Sequence, residues 1–242
     1  MAARIAIDSM ANPDEKLNLY FEAVAQTVQR KVQEALGLIG NFPRQLLALR
    51  RYIRKENNLD TQWVWTEEQI KAYEVSPRAA RVRMEVEKVR KKFEELNPGY
   101  TLGVSPIRDL QRQVNLWNGN ATVRLAADDL RWKCLQEIAG YPDWPDVNAR
   151  ARFRAFLGHC SVQPEPTSAA PGLSDHGQMN AIDFVILQGH RKIAGTTTAT
   201  IPAEWDAPRW TQKLKEAVTL SQSVFIGPLQ HPREPWHYTL PH

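Results

Sequence analysis

Ala170-Pro171-Gly172-Leu173-Ser174-Asp175-His176-Gly177-Gln178-Met179-Asn180-Ala181-Ile182-Asp183-Phe184-Val185-Ile186-Leu187 is the stretch from which the fold is read. Pro171-Gly172 marks a turn. A polar run carrying Ser174 and His176 follows, and Ala181 to Leu187 then reads as a buried strand entered through Asp183. A carboxylate at the mouth of an apolar strand has to be paired, hydrogen-bonded or metal-bound, because an isolated buried charge is very unfavourable. Read alone, His176 is better explained as a hydrogen-bonded structural residue.

Working outward, the next polar cluster is Glu234-Pro235-Trp236-His237 near the C-terminus. Glu234 and His237 are three apart, so they point apart in an extended strand and converge in a turn. Pro235 favours a bend and holds Glu234 in extended geometry. Two histidines and an aspartate are a sufficient protein ligand set for a catalytic zinc, which keeps a further position for water. A nearby glutamate outside the ligand set is what such a site needs as a general base. His190 and His231 are competing ligand candidates, but neither has an acid of this kind beside it.

Three motifs occur in a fixed order: Ser105-x-x-Arg108 with Gln113 five residues on, Ser174-x-His176 with Ala181-x-Asp183, and Glu234-Pro235-Trp236-His237. In this the chain resembles the D-alanyl-D-alanine carboxypeptidase family of zinc peptidases. That family also includes L-alanyl-D-glutamate endopeptidases that serve as phage endolysins. The resemblance spans roughly residues 95 to 240. The chain departs from the pattern at Met179, where the family carries glycine, and at Pro106-Ile107, where Gly-Tyr or Gly-Phe is usual. The resemblance implies zinc held by His176, Asp183 and His237, with Glu234 as catalytic base. It also implies Arg108 holding a substrate carboxylate or carbonyl, and Gln113 and Ser174 as hydrogen-bonding groups beside the substrate. A guanidinium suits that task because its planar fork meets a carboxylate at two points.

The implied fold is α+β: a small, mostly antiparallel, Hedgehog/DD-peptidase-like sheet carrying the zinc site and packed by helices, with a helical N-terminal region. Residues 1–97 form that region in this reading. Residues 98–242 form the zinc peptidase domain, with a helical insertion at about 119–160.

The 242 residues, 43% apolar and 24% charged, suit a soluble globular protein with a proper core. The net charge of +4 suits an acidic partner such as cell-wall polymer without demanding one. Cys134 and Cys160 are too few for a disulfide framework and lack metal spacing, so both read as plain thiols. Met1 to Asp8 has no apolar core of a signal peptide, and no run is long enough to span a membrane. An enzyme acting at the bacterial cell wall or periplasm would then be made in the cytoplasm and released by a holin or another route. No recognised motif supports nucleic-acid binding.

Asn12-Pro13-Asp14-Glu15 is a helix start, and Leu17, Phe21, Val24, Val28, Val32 and Ala35 continue one buried stripe to Gly37 and Gly40. A second helix over about 43–56 carries Arg50, Arg51, Arg54 and Lys55, expected as a solvated face. Thr66 to Gln69 is a capping box after Trp63-Val64-Trp65, whose tryptophans are expected in a core or staple role. Ser76-Pro77 opens a long helix with Val82, Val86, Val89 and Phe93 on one face, stopped by Asn97-Pro98-Gly99. A short strand at 101–104 and helices at 109–117, 121–139 and 146–158 follow. After the strand at 181–187, a threonine-rich hairpin partner is expected over 192–201 and a helix from Asp206-Ala207-Pro208 to Ser221. Strands at 223–226 and 238–240 complete the list.

The peptide bond cut is open between a DD-carboxypeptidase, a dipeptidase and an endopeptidase, with the lytic endopeptidase favoured by the N-terminal sequence. A rival function is a non-catalytic, zinc-stabilised module that binds cell wall or protein. Retention of Glu234 argues against it, since a structural zinc needs no base. The N-terminal helices, with their basic faces, are candidates for wall binding or assembly.

Overall fold

A computed structural model describes residues 12–241. The Met1–Asp8 stretch read for a leader lies outside the described residues. In chain order the elements are α1 (Pro13–Ala25), α2 (Arg30–Leu38), α3 (Phe42–Arg54), the single turn α4 (Leu59–Gln62), α5 (Glu67–Glu74), α6 (Pro77–Leu96), β1 (Thr101–Val104), α7 (Leu110–Gly119), α8 (Ala121–Ile138), α9 (Val147–His159), β2 (Ala181–Gln188), β3 (Arg191–Ala194), α10 (Trp210–Leu220) and β4 (His237–Thr239). The architecture is α+β, with one small antiparallel sheet packed by helices. No helix among the described residues is long and apolar enough to cross a membrane.

The chain divides into two compact units that interleave in sequence: residues 12–61 with 110–173, and 62–109 with 174–241. The division does not fall at residue 97. Helices α8 and α9, expected as an insertion in the sheet domain, pack with α1 and α3. Helix α6, expected with the N-terminal region, packs on β1 and α10, because its stripe of Val82, Val86, Val89 and Phe93 is the part of the sheet unit's core that the sheet itself cannot supply.

In the helical unit, Asn12 caps α1 through Asp14 N–H. The expected continuous stripe is broken into α1 and α2. Thr27 turns its hydroxyl back onto the Val24 carbonyl at 2.7 Å, and Gln33 Nε2 takes the Val28 carbonyl at 2.9 Å. Val28, Val32 and Ala35 are nevertheless buried, so the stripe survives the break. The basic run of α3 is not simply a solvated face. Arg50 is fully buried and donates through Nε to the Cys160 carbonyl at 2.6 Å, while Arg54 Nε reaches the Gly158 carbonyl at 2.7 Å. Two cations thus meet the carbonyl end of α9, where the helix dipole is negative. Arg51 pairs with Glu165 at 3.1 Å. Cys134 is buried, Cys160 is half-buried, and both are free thiols.

In the sheet unit, β2 is the central strand. Its first residues pair antiparallel with β4 (Ala181 with Thr239, Ile182 with Tyr238, Asp183 with His237), and its second half pairs with β1 and β3. Side chains alternate across a strand, so Ile182, Phe184 and Ile186 enter the core shared with α6 and α10, and Asp183 faces the other way. The capping box at Thr66 and Gln69 opens α5, and Ser76 caps α6 through Ala79 N–H.

Three expectations are corrected here. The hairpin partner ends at Ala194 and gives way to a 3-10 turn at Thr198–Thr200. Residues 223–226 form only a single bridge, Ile226 with Thr239. The helix after Pro208 begins at Trp210, preceded by a π-turn over Pro202–Asp206 and by Arg209 at φ 62°.

Candidate metal centre

Asp183 and His237 face each other across the β2–β4 ladder, so their side chains leave the same face of the sheet. Phe184 N–H donates to the Trp236 carbonyl at 2.9 Å and Ser105 N–H to the Asp183 carbonyl at 2.9 Å, which fixes the backbone on both sides of Asp183. His176 arrives on a 3-10 turn, Asp175–Gln178, opened at Ser174, whose carbonyl accepts from Gly177 N–H at 2.8 Å. Met179 closes the turn in the left-handed region at φ 52°, ψ 34°. That conformation suits glycine, the residue of the motif this stretch resembles.

The segment before α5 is laced to the same turn. Trp65 N–H donates to the Gly177 carbonyl at 3.1 Å, and Gln178 Nε2 donates to the Trp63 carbonyl. The Trp65 ring packs on Tyr73 with centroids 4.9 Å apart, in keeping with a packing role.

These elements bring three ligand atoms together. His176 Nε2 and His237 Nδ1 are 3.2 Å apart, and each is 3.3 Å from Asp183 Oδ1. All three residues are buried, Asp183 to 1% exposure. Asp183 Oδ2 accepts from Arg108 Nη2. Oδ1 is shut off from solvent and accepts no hydrogen bond. A buried carboxylate oxygen left without a donor is destabilising by itself, and two imidazole nitrogens at nearly equal distances complete a small triangle around one point. The donor set and its geometry fit a metal ion. Among the described residues, His190 and His231 belong to no such cluster.

The titration of the site suits ligation. Burial pushes the His176 imidazole down to about 4, with the Arg108 cation and His237 acting in the same sense and Asp183 opposing them. Its ring is therefore neutral near pH 7, with a lone pair available. Burial pushes the Asp183 carboxyl up, but His237, His176 and Arg108 together bring it below the ordinary carboxylate range. Glu234 stands just outside the triangle, its Oε2 3.5 Å from His237 Nδ1. Burial, followed by the Asp183 charge, raises its carboxyl above the ordinary range, with His237 and Arg108 opposing.

The other expected site residues are placed as follows. Arg108 lies against Asp183, one-fifth exposed. Ser174 starts the His176 turn. Gln113 lies on α7 in the helical unit, buried, with Oε1 accepting from Gly172 N–H at 2.8 Å. It thereby holds the turn at Gly172, whose φ of 90° requires glycine. Two features had no signature of their own in the sequence. Trp236 packs on the buried Trp205 at 5.9 Å, and Arg233 forms a two-pronged ion pair with Asp206.

No protein-family model, no curated protein and no solved structure matches this chain.

Proposed function

We propose that the chain is a zinc-dependent peptidase that hydrolyses peptide bonds in peptidoglycan stem peptides. The observation that carries the reading is the triangle of His176 Nε2, Asp183 Oδ1 and His237 Nδ1, with sides of 3.2, 3.3 and 3.3 Å. Ligands held tetrahedrally at about 2.0–2.1 Å from a zinc stand roughly 3.3 Å from one another. Glu234 beside the triangle separates this reading from a structural site, which would need no base.

Zinc held by His176, Asp183 and His237 would lower the pKa of a water and polarise a carbonyl. The chain's own groups do the rest. Arg108 fixes Asp183 Oδ2, which leaves Oδ1 turned to the imidazoles. Glu234 Oε2 accepts a proton from the attacking water and returns it to the leaving nitrogen. Arg108 also meets a carboxylate or carbonyl of the peptide. Ser174 stands beside His176 as a hydrogen-bonding group. Action on the wall follows from the motif resemblance, and the favoured bond is that of a lytic endopeptidase.

Metal analysis and muropeptide mass spectrometry test the proposal. Wild type is expected to hold about one zinc and to shorten stem peptides. Glu234→Gln keeps the zinc and loses activity by roughly 10²- to 10⁴-fold, and His176→Ala loses both. Full activity in Glu234→Gln would remove the assigned base, and a zinc-free, inactive wild type after metal-replete preparation would remove the reading.

A further inference from the structure

The Glu234–His237 turn is secured unevenly. Its His237 end is sewn into the sheet by Phe184 N–H to the Trp236 carbonyl and by the pairing of His237 with Asp183. Its Glu234 end continues an exposed loop, Gln230 to Arg233, whose backbone bonds run only to Leu229 and to the neighbouring His237: Glu234 N–H donates to the Leu229 carbonyl at 3.0 Å, Leu229 N–H to the His237 carbonyl at 3.1 Å and His237 N–H to the Glu234 carbonyl at 3.1 Å. The side chain that ties this end to the turn at Pro202–Asp206 is Arg233. Its Nη1 and Nη2 donate to Asp206 Oδ2 and Oδ1 at 3.0 and 2.5 Å.

Asp206 ends the π-turn Pro202–Asp206, and that turn is itself held firmly. Trp205 is fully buried with Nε1 donating to the Gly195 carbonyl at 2.8 Å, and Glu204 Oε2 accepts from Gly195 N–H at 2.8 Å. Two adjacent residues of one rigid turn therefore grip both flanks of Glu234-Pro235. Trp205 takes Trp236 on one side, and Asp206 takes Arg233 on the other. Short π segments of this kind are frequent next to functional sites.

We propose that Asp206 and Arg233 are positioning residues: their paired contact, with Trp205 against Trp236, fixes Glu234 against the metal triangle. The pair is about half exposed, 41% and 49%, and exposed ion pairs add little to global stability. A two-pronged arginine–carboxylate contact instead supplies geometric specificity. Its effect belongs on the placement of Glu234. The kinetic half of this inference rests on the peptidase reading, and the structural half does not.

The test compares wild type, Asp206→Ala, Arg233→Lys and the swapped pair Asp206→Arg/Arg233→Asp. Four quantities are read: zinc content, thermal midpoint, kcat and KM on muropeptides, and amide hydrogen exchange at Glu234 and His237. Asp206→Ala is expected to keep zinc, midpoint and KM, to lose kcat by about 10-fold, and to exchange faster at Glu234 than at His237. Arg233→Lys falls between, since a lysine cannot make the two-pronged contact, and the swap recovers both kcat and slow exchange. Wild-type exchange in Asp206→Ala, or no recovery in the swap, overturns the clamp. Unchanged kcat beside faster exchange overturns its positioning of Glu234. A wild type without hydrolytic activity refutes the peptidase reading alone, and the exchange data then decide the clamp.

Discussion

Met179 offers a test in which the usual order of glycine and alanine is reversed. It closes the His176 turn at φ 52°, ψ 34°, and its side chain is partly buried against the sheet unit's core. Replacing it with alanine or glycine removes the same side-chain packing, about 1–2 kcal/mol for a half-buried methionine. The two variants then differ only in backbone. At an ordinary helical position alanine is the more stable by ~1 kcal/mol. Here alanine carries the left-handed penalty of about 1–2 kcal/mol, whereas glycine carries little beyond its unfolded-state entropy of roughly 0.5–1 kcal/mol. Met179→Gly should therefore be more stable than Met179→Ala by ~1 kcal/mol. Urea unfolding, followed by the fluorescence of the eight tryptophans, measures the difference. With m near 2 kcal/mol/M the midpoints separate by about 0.5 M at equal slope. Alanine equal to or better than glycine would mean that the turn does not hold Met179 left-handed, and the account of how His176 reaches the triangle would fall with it.

Two further outcomes are expected. A Cβ on Gly227 would lie 2.6 Å from Tyr238 Cδ1 and 2.8 Å from the His237 carbonyl, so Gly227→Ala should lose about 1–3 kcal/mol and also lower metal affinity, as read by urea unfolding and metal titration. Glu85 is buried, which alone would raise its carboxyl, but Lys88 at 2.6 Å and Val224 N–H at 3.3 Å hold it below the ordinary range. A depressed folded-state pKa stabilises above the unfolded value of about 4.3 and is lost as pH falls through the folded one. The stability gap between wild type and Glu85→Gln should thus be constant from pH 7 to 5 and shrink progressively as pH falls below about 4; a gap that stayed unchanged over the whole acid range in which the chain remains folded would show that charge is not its source.

The triangle was legible because its members carry chemistry and local pattern together. An aspartate cannot enter an apolar strand unpaired, a proline bends Glu234 toward His237, and a Pro-Gly turn feeds His176. Long helices with caps were legible for the same reason: Ser76 at α6 and Thr66 at α5 announce themselves to a few neighbours. What escaped depends on partners far along the chain. The arginines of α3 look like a solvated face until the carbonyl end of α9 meets Arg50 and Arg54. Asp206-Ala207-Pro208 looks like a simple helix start, yet Asp206 ends a π-turn whose Trp205 and Glu204 are drawn to Gly195, and the helix begins only at Trp210. Residues 223–226 have strand composition, yet only Ile226 makes a strand bridge, to Thr239, while Val224 N–H is drawn to Glu85 Oε2 at 3.3 Å.

The ligands stand on backbone of unequal rigidity, and this decides how much of the chain the centre needs. Asp183 and His237 are held by the ladder itself. A lone 3-10 turn such as the one bearing His176 is too short to hold its own shape. Its support comes from Asn180 N–H on the Asp175 carbonyl at 3.0 Å, from Arg78 Nη2 on Asn180 Oδ1 at 2.7 Å, and from the two bonds to Trp63 and Trp65. Arg78, Trp63 and Trp65 all lie before residue 95, outside the span of the motif resemblance. The same segment carries α6, whose Val89 and Phe93 are fully buried in the sheet unit's core. The span of the motif resemblance is therefore not the whole of the compact unit that builds the site, which takes in residues 62–109 with 174–241. Cut away residues 62–97, and the sheet loses one of its covering helices while the His176 turn loses three of its ties, although every residue assigned to chemistry remains.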